Sequence, residues 1–155
     1  MTLPHPITDN GPIDRNFRAL AEHLGSSVTA GEAAASASLT LPLNSWSDIT
    51  GCSASLAAGT YLIRAVADLQ AQSTAGFYAA QSMCRCNVGG TAQSGVAVVQ
   101  SYNAIYVRST AAGEWKITLG STTTVKLEGG RTDDAGGGNG IAYLINTKMI
   151  WEKIG

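Results

Sequence analysis

The sequence predicts a mainly β chain, an antiparallel jelly-roll sandwich with a short N-terminal α-helix ahead of it. Three observations carry that reading. From about Leu39 to Gly155 apolar and polar residues alternate with a period of two. Glycine-containing breaks interrupt this alternation at short intervals. Before Leu39 the apolar spacing is helical instead.

Residues 1–25 read as an N-terminal anchoring segment. Pro4, Pro6 and Pro12 keep its start extended. Asp9, Asn10, Gly11 and Pro12 form a helix start, with a capping side chain and a proline in the first turn. The helix covers about residues 12–24, and Gly25 stops it. Ile13, Phe17, Leu20 and Leu24 fall on one stripe, while Asp14, Arg15, Arg18 and Glu22 face away. So short a helix is marginal alone, so its stripe must dock. These four residues are the candidate contacts for holding a trimer together or for anchoring to a larger particle. Residues 26–38 are rich in Gly, Ala and Ser and read as a small-residue tether, although Ala33 to Ala35 fit a continued helix equally well.

Residues 39–155 make up the sandwich. Leu39, Leu41 and Leu43 alternate with Thr40 and Pro42. In the next strand Tyr61, Ile63, Ala65, Ala67 and Leu69 share one face, with Arg64 and Asp68 on the other. Phe77 to Val88, Val96 to Val99 and Ile105 to Val107 add further strand material. Trp115, Ile117 and Leu119 alternate with Glu114, Lys116 and Thr118, and Val125 and Leu127 with Lys126 and Glu128. Ile141, Tyr143 and Ile145, then Met149 to Ile154, close the domain. The expected turns are at Gly89-Gly90, Gly113, Gly120-Ser121, Gly129-Gly130 and Gly136 to Gly140. Eight or nine short strands with glycine turns and no intervening helix describe a sandwich, most simply a jelly roll.

Composition narrows the function. The chain has 155 residues, enough for one domain with an appendage. Only 14% are charged and the net charge is −1, which excludes a nucleic-acid binder working by phosphate neutralisation. The N-terminus has neither a cationic start nor an apolar run, so no secretory signal is expected. The longest uncharged stretch, between Arg85 and Arg108, holds too many amides and hydroxyls for membrane insertion. Cys52, Cys84 and Cys86 are odd in number, imply no disulfide scaffold, and read as small apolar core residues.

No catalytic pattern emerges. The two histidines, His5 and His23, both lie in the anchoring segment, outside the sandwich. The acids Asp48, Asp68, Glu114, Glu128, Asp133, Asp134 and Glu152 show no facing pair of the kind glycosidases use. No enzyme, cofactor or metal is expected. The run from Asp133 to Gly140 lacks the lysine of a phosphate loop and the spacing of a calcium loop. It reads as an exposed connection, with Asp133, Asp134 and Asn139 as candidate recognition residues.

The stretch from Trp46 to Gly51, followed by Ser55, Leu56, Gly59, Thr60, Tyr61, Leu62 and Ile63, resembles the opening of a complement/tumour-necrosis-factor-like jelly roll, in which a Gly-x-Tyr start to a long inner strand is common. The ending from Thr147 to Gly155 resembles the last strand of versions found in bacteriophage structural proteins. The segment from Ile13 to Leu20 is similar to a short helix that opens phage tail, fibre and head-decoration proteins. The resemblance implies a homotrimer packed around a three-fold axis through one sheet face. It also implies anchoring to other virion proteins, capsid or tail, through the N-terminal segment. The implied protein is a structural one on the virion surface, made in the bacterial cytoplasm: a head fibre, spike or decoration knob that contacts host-surface glycans. Two alternatives stay open, a receptor-binding tail-fibre tip and a polysaccharide depolymerase. The scarcity of histidines and paired acids weighs against the depolymerase.

Overall fold

The structure is a computed structural model, which describes residues 29–72, 79–102, 106–133 and 143–155. Ten strands follow in order: β1 (Ala30–Ala34), β2 (Leu39–Thr40), β3 (Trp46–Leu56), β4 (Gly59–Gln72), β5 (Ala79–Val88), β6 (Thr91–Ala92), β7 (Ala97–Tyr102), β8 (Tyr106–Leu119), β9 (Thr123–Asp133) and β10 (Tyr143–Lys153). They form two five-stranded sheets. Sheet A runs β1-β10-β4-β8, with β2 also on β10, and sheet B runs β3-β9-β5-β6, with β7 also on β5. Every strand pair is antiparallel. The order is that of a jelly roll, in which strands distant in sequence lie side by side.

The core lies between the sheets. Sheet A contributes Tyr61, Ile63, Ala65, Ala67, Leu69, Trp115, Ile117, Leu119 and Met149. Sheet B contributes Ile49, Cys52, Leu56, Cys84, Cys86, Ala97, Val99, Val125 and Leu127. The alternation along β4 and β9 puts their apolar residues inside, and each fully buried aliphatic side chain stabilises the fold by about 1.5–3 kcal/mol. The Gly89-Gly90 turn forms as expected, with φ of 56° and 91°. Both lie in the left-handed region that a tight β5–β6 hairpin requires.

Three expectations change. Residues 30–34, within the expected tether, are strand β1, paired along β10 from Ala30↔Glu152 to Ala34↔Lys148. The open edge of β10 imposes strand geometry there on a sequence with little pattern of its own. Gly113 and Gly129-Gly130 are not turns but lie inside β8 and β9. Residues 106–107 and 115–119, expected in separate strands, therefore belong to one strand, β8, and residue 105 lies outside the described residues. The reason lies in the indoles. A Cβ on Gly113 would lie 2.4 Å from the Trp115 ring, and one on Gly130 would lie 3.1 Å from the Trp46 ring and 2.5 Å from the Ser45 carbonyl. A Cβ on Gly31 of β1 would likewise lie 2.3 Å from the Trp151 ring. Each of the three tryptophans rests on a glycine. The helix expected at residues 12–24 lies outside the described residues, among which no helix occurs.

Candidate functional site

The expected anchoring residues Ile13, Phe17, Leu20 and Leu24 lie outside the described residues, as do Asp134 and Asn139 of the expected recognition loop. Asp133 is the last residue of β9, and its backbone pairs with Ala80. The described residues present two outer faces of unlike chemistry.

The outer face of sheet A is part aliphatic. On β4, Leu62 and Val66 flank Arg64, and Ile150 of β10 lies opposite Arg64. Ala112 of β8 lies opposite Val66, which is 38% exposed. Most charges among them are paired within the chain, whereas Lys116 of β8, opposite Leu62, makes no ion pair among the described residues. Arg64 Nε donates to Glu114 at 2.9 Å and its Nη1 lies 3.9 Å from Glu152. Arg108 meets Asp68 through two hydrogen bonds of 2.6 and 3.1 Å. Lys148 reaches Glu32 at 3.2 Å. With Lys116 on the edge strand β8, the paired charges around the aliphatics make a face that can be covered while that one ammonium stays at the rim.

The outer face of sheet B carries a polar network over an indole. Register stacks three rows across β5, β9 and β3: Met83–Gly130–Trp46, then Arg85–Glu128–Asp48, then Asn87–Lys126–Ser53. Glu128 points outward yet is only 7% exposed. Its carboxylate accepts from Arg85 Nε and from Asn87 Nδ2, each at 2.8 Å, with Lys126 Nζ at 3.6 Å. Lys126 also donates to Asp48, and that hydrogen bond is the main cause holding its ammonium above the usual lysine range. The Arg85 guanidinium carbon sits 4.1 Å from the centroid of the Trp46 ring. The indole itself lies over Gly130. Two grooves border this network. One, of about 370 Å³, is lined by Asn44, Ser45, Trp46, Met83, Arg131 and Thr132. The other, of about 580 Å³, is lined by Asp48, Ser53, Gly89, Gly90, residues 122–124 and Lys126.

The thiols lie under sheet B. Burial pushes Cys52 up to about 11, and Cys84 and Cys86 up to about 12. A thiol so far from ionisation is a poor nucleophile and a poor metal ligand. Among the described residues no group of three or more His, Cys, Asp or Glu side chains could hold a metal ion. None of their helices, for none occurs, is long and apolar enough to cross a membrane.

In the sequence Trp46 stands only as the start of the stretch that carries the jelly-roll resemblance, Glu128 is one acid among seven, and Arg85 has no role. The available signal was parity. Arg85 lies between the inward Cys84 and Cys86, so it must face outward.

No protein-family profile matches the chain, and no curated protein matches it. Among solved structures, it is similar to the globular domain of zebrafish complement 1qA at 11% identity, over 81% of this chain and 96% of that one, with a TM-score of 0.46. It is similar to murine APRIL at 10% identity, over 82% and 99% of the two chains, with a TM-score of 0.48. It is also similar to the infectious bursal disease virus Gx strain structure at 13% identity and a TM-score of 0.47, over 81% of this chain but 32% of the viral one. The jelly-roll assignment itself rests on the strand order and register above.

Proposed function

We propose that this chain is a structural, non-catalytic module displayed on a phage-like particle as a head fibre, spike or decoration knob, with three jelly rolls around a three-fold axis. The observation that carries the self-association is the outer face of sheet A, where Leu62, Val66 and Ile150 lie among charges that, Lys116 apart, are paired within the chain. A ring of three copies needs two different patches on each chain. The second patch is the β7 edge of sheet B, where Val96 and Val98 are 43% and 44% exposed. Packing that edge of one copy on the sheet A face of the next covers both. The N-terminal segment, with its stripe from Ile13 to Leu24, supplies the link to other virion proteins.

Native mass spectrometry at micromolar protomer concentration tests the assembly. The parent chain is expected as a trimer. Val66→Lys is expected as a monomer with an unchanged far-UV spectrum, because it sets a second ammonium directly opposite Lys148 in the covered face. A monomeric parent chain overturns the proposal. Immuno-labelled imaging of the parent particle tests the placement, and absence of label from its surface overturns that part. A receptor-contacting tip is the second reading, favoured by the polar network on sheet B, which lies toward β9 and β3 on the far side of Met83 from Val98.

A further inference from the structure

We infer that Arg85 is the anion-reading centre of a binding site for a carboxylate-bearing saccharide chain laid along the outer face of sheet B. This deepens the surface-display reading and rests on it. Three observations converge on Arg85.

The first is orientation. Nε is held by Glu128 at 2.8 Å, and the guanidinium plane is backed by the Trp46 ring. The side chain leans across β9 toward β3, away from the β7 edge that the assembly covers. It is 23% exposed, and among the described residues neither Nη makes a hydrogen bond. A planar fork whose stem is fixed and whose outer edge is open presents parallel donors at the spacing of a carboxylate. Its side-chain freedom is already spent in folding, so little more is lost on binding.

The second is charge. An acidic ligand must not meet an unscreened carboxylate. Glu128 is almost wholly covered, and its oxygens are taken by Arg85, Asn87 and Lys126. Asp48, the exposed acid of the face, carries the Lys126 ammonium. Arg85 and Lys126 balance Glu128 and Asp48, so the network carries no net charge to repel an acidic ligand, and Arg131 adds one cation to the bordering groove. So weak a field does not suit a nucleic-acid backbone, and recognition rests on the fork of Arg85 meeting single, widely spaced carboxylates.

The third is the ground on either side. The Arg85–Glu128–Asp48 row lies between the two grooves. One offers an indole edge and a thioether beside Asn44, Ser45 and Thr132, and the other offers Ser53 and three threonines. Apolar surface mixed with hydroxyls and amides matches sugar rings, which have C–H faces and hydroxyl rims. Both volumes lie in the range of about 300–1,000 Å³ usual for small-ligand sites.

The test uses the full chain and titration calorimetry, with a short oligogalacturonate as probe. A maltooligosaccharide of equal length is the neutral control, and an oligosialate separates uronates from sialates. Binding of at least one acidic probe, about tenfold or more above the neutral one, is expected. Arg85→Lys keeps the charge but loses the fork, and is expected to weaken that binding about tenfold while the far-UV spectrum and the trimer mass stay unchanged. Absence of binding by both acidic probes overturns the inference. So does equal binding of the neutral probe, or unchanged binding by Arg85→Lys. A trimer that binds no acidic probe refutes this site alone, whereas a monomeric parent chain refutes the assembly beneath it.

Discussion

Glu128→Gln changes one atom's chemistry at the centre of the sheet B face, and its cost can be worked from the geometry. The carboxylate accepts two hydrogen bonds of 2.8 Å, from Arg85 and from Asn87, and Lys126 lies 3.6 Å away. A glutamine can turn its carbonyl toward Asn87, but its amide then meets the Arg85 N–H with another donor. One charge-assisted hydrogen bond is lost, at about 1.5–3 kcal/mol. The Arg85 side chain is 23% exposed, so water recovers part of that. The net loss is about 2 kcal/mol. For a domain of this length each kcal/mol lowers Tm by roughly 2–4 °C, giving a fall of roughly 4–8 °C. Scanning calorimetry at fixed protomer concentration measures it, because association also moves Tm. Arg85→Gln and the double variant complete a thermodynamic cycle, with an expected coupling of about 1.5 kcal/mol. A loss below about 0.5 kcal/mol for Glu128→Gln, or additive single effects, would refute the reasoning.

Further outcomes follow from the core and from the opposite face. Cys52, Cys84 and Cys86 lie near 11, 12 and 12 in the fold, against an ordinary 9.0 when unfolded. Because the fold favours the protonated thiols, their stabilising contribution is complete below about pH 9 and is lost as pH rises through 11 to 12. Melting from pH 7 upward should show that decline, Cys84→Ala should flatten it, and a native thiol alkylated at free-cysteine speed at pH 8 would contradict it. Gly113→Ala should destabilise by about 1–3 kcal/mol by displacing Trp115, whose Nε1 donates to Ser94 O at 2.9 Å. Glycine-to-alanine in an ordinary strand has the opposite sign, so a stabilised variant in urea unfolding rejects the ring contact. Glu114→Gln removes a partner of Arg64 where both side chains are about half exposed. It should change stability by less than about 0.5 kcal/mol in the Val66→Lys background, and a larger urea shift would contradict that.

The strands were legible wherever side chains alternate in size and polarity. β4 reads directly from Tyr61 to Leu69, and β9 from Val125 to Glu128. β1 did not, because Ala-Gly-Glu-Ala-Ala has no apolar face of its own; pairing with β10 makes it a strand. Gly113 and Gly130 misled because a glycine in a strand reads as a break until the ring above it is known. The sheet B network was out of reach for a related reason. Trp46, Arg85 and Glu128 come from three strands brought together by non-local pairing, and sequence shows each residue without its neighbours. Parity predicts which way Arg85 faces, but not what it meets there.

The tryptophan–glycine seats have a consequence for how the chain finds its alignment. A slip of one residue between strands turns the apolar face outward and is forbidden by the core. A slip of two preserves every inside and outside position. In strands built largely of Ala, Ser and Thr, such a slip costs little in lost packing. The seats remove that degeneracy. Trp151 opposes Gly31, and moving it by two brings Thr29 or Ala33 beneath the ring. Trp46 opposes Gly130, and moving it by two brings Glu128 or Thr132 there. Each bulky ring thus acts as a detent that drops into its single notch, one at the outer edge of each sheet, and counts out the register that the small residues leave unmarked.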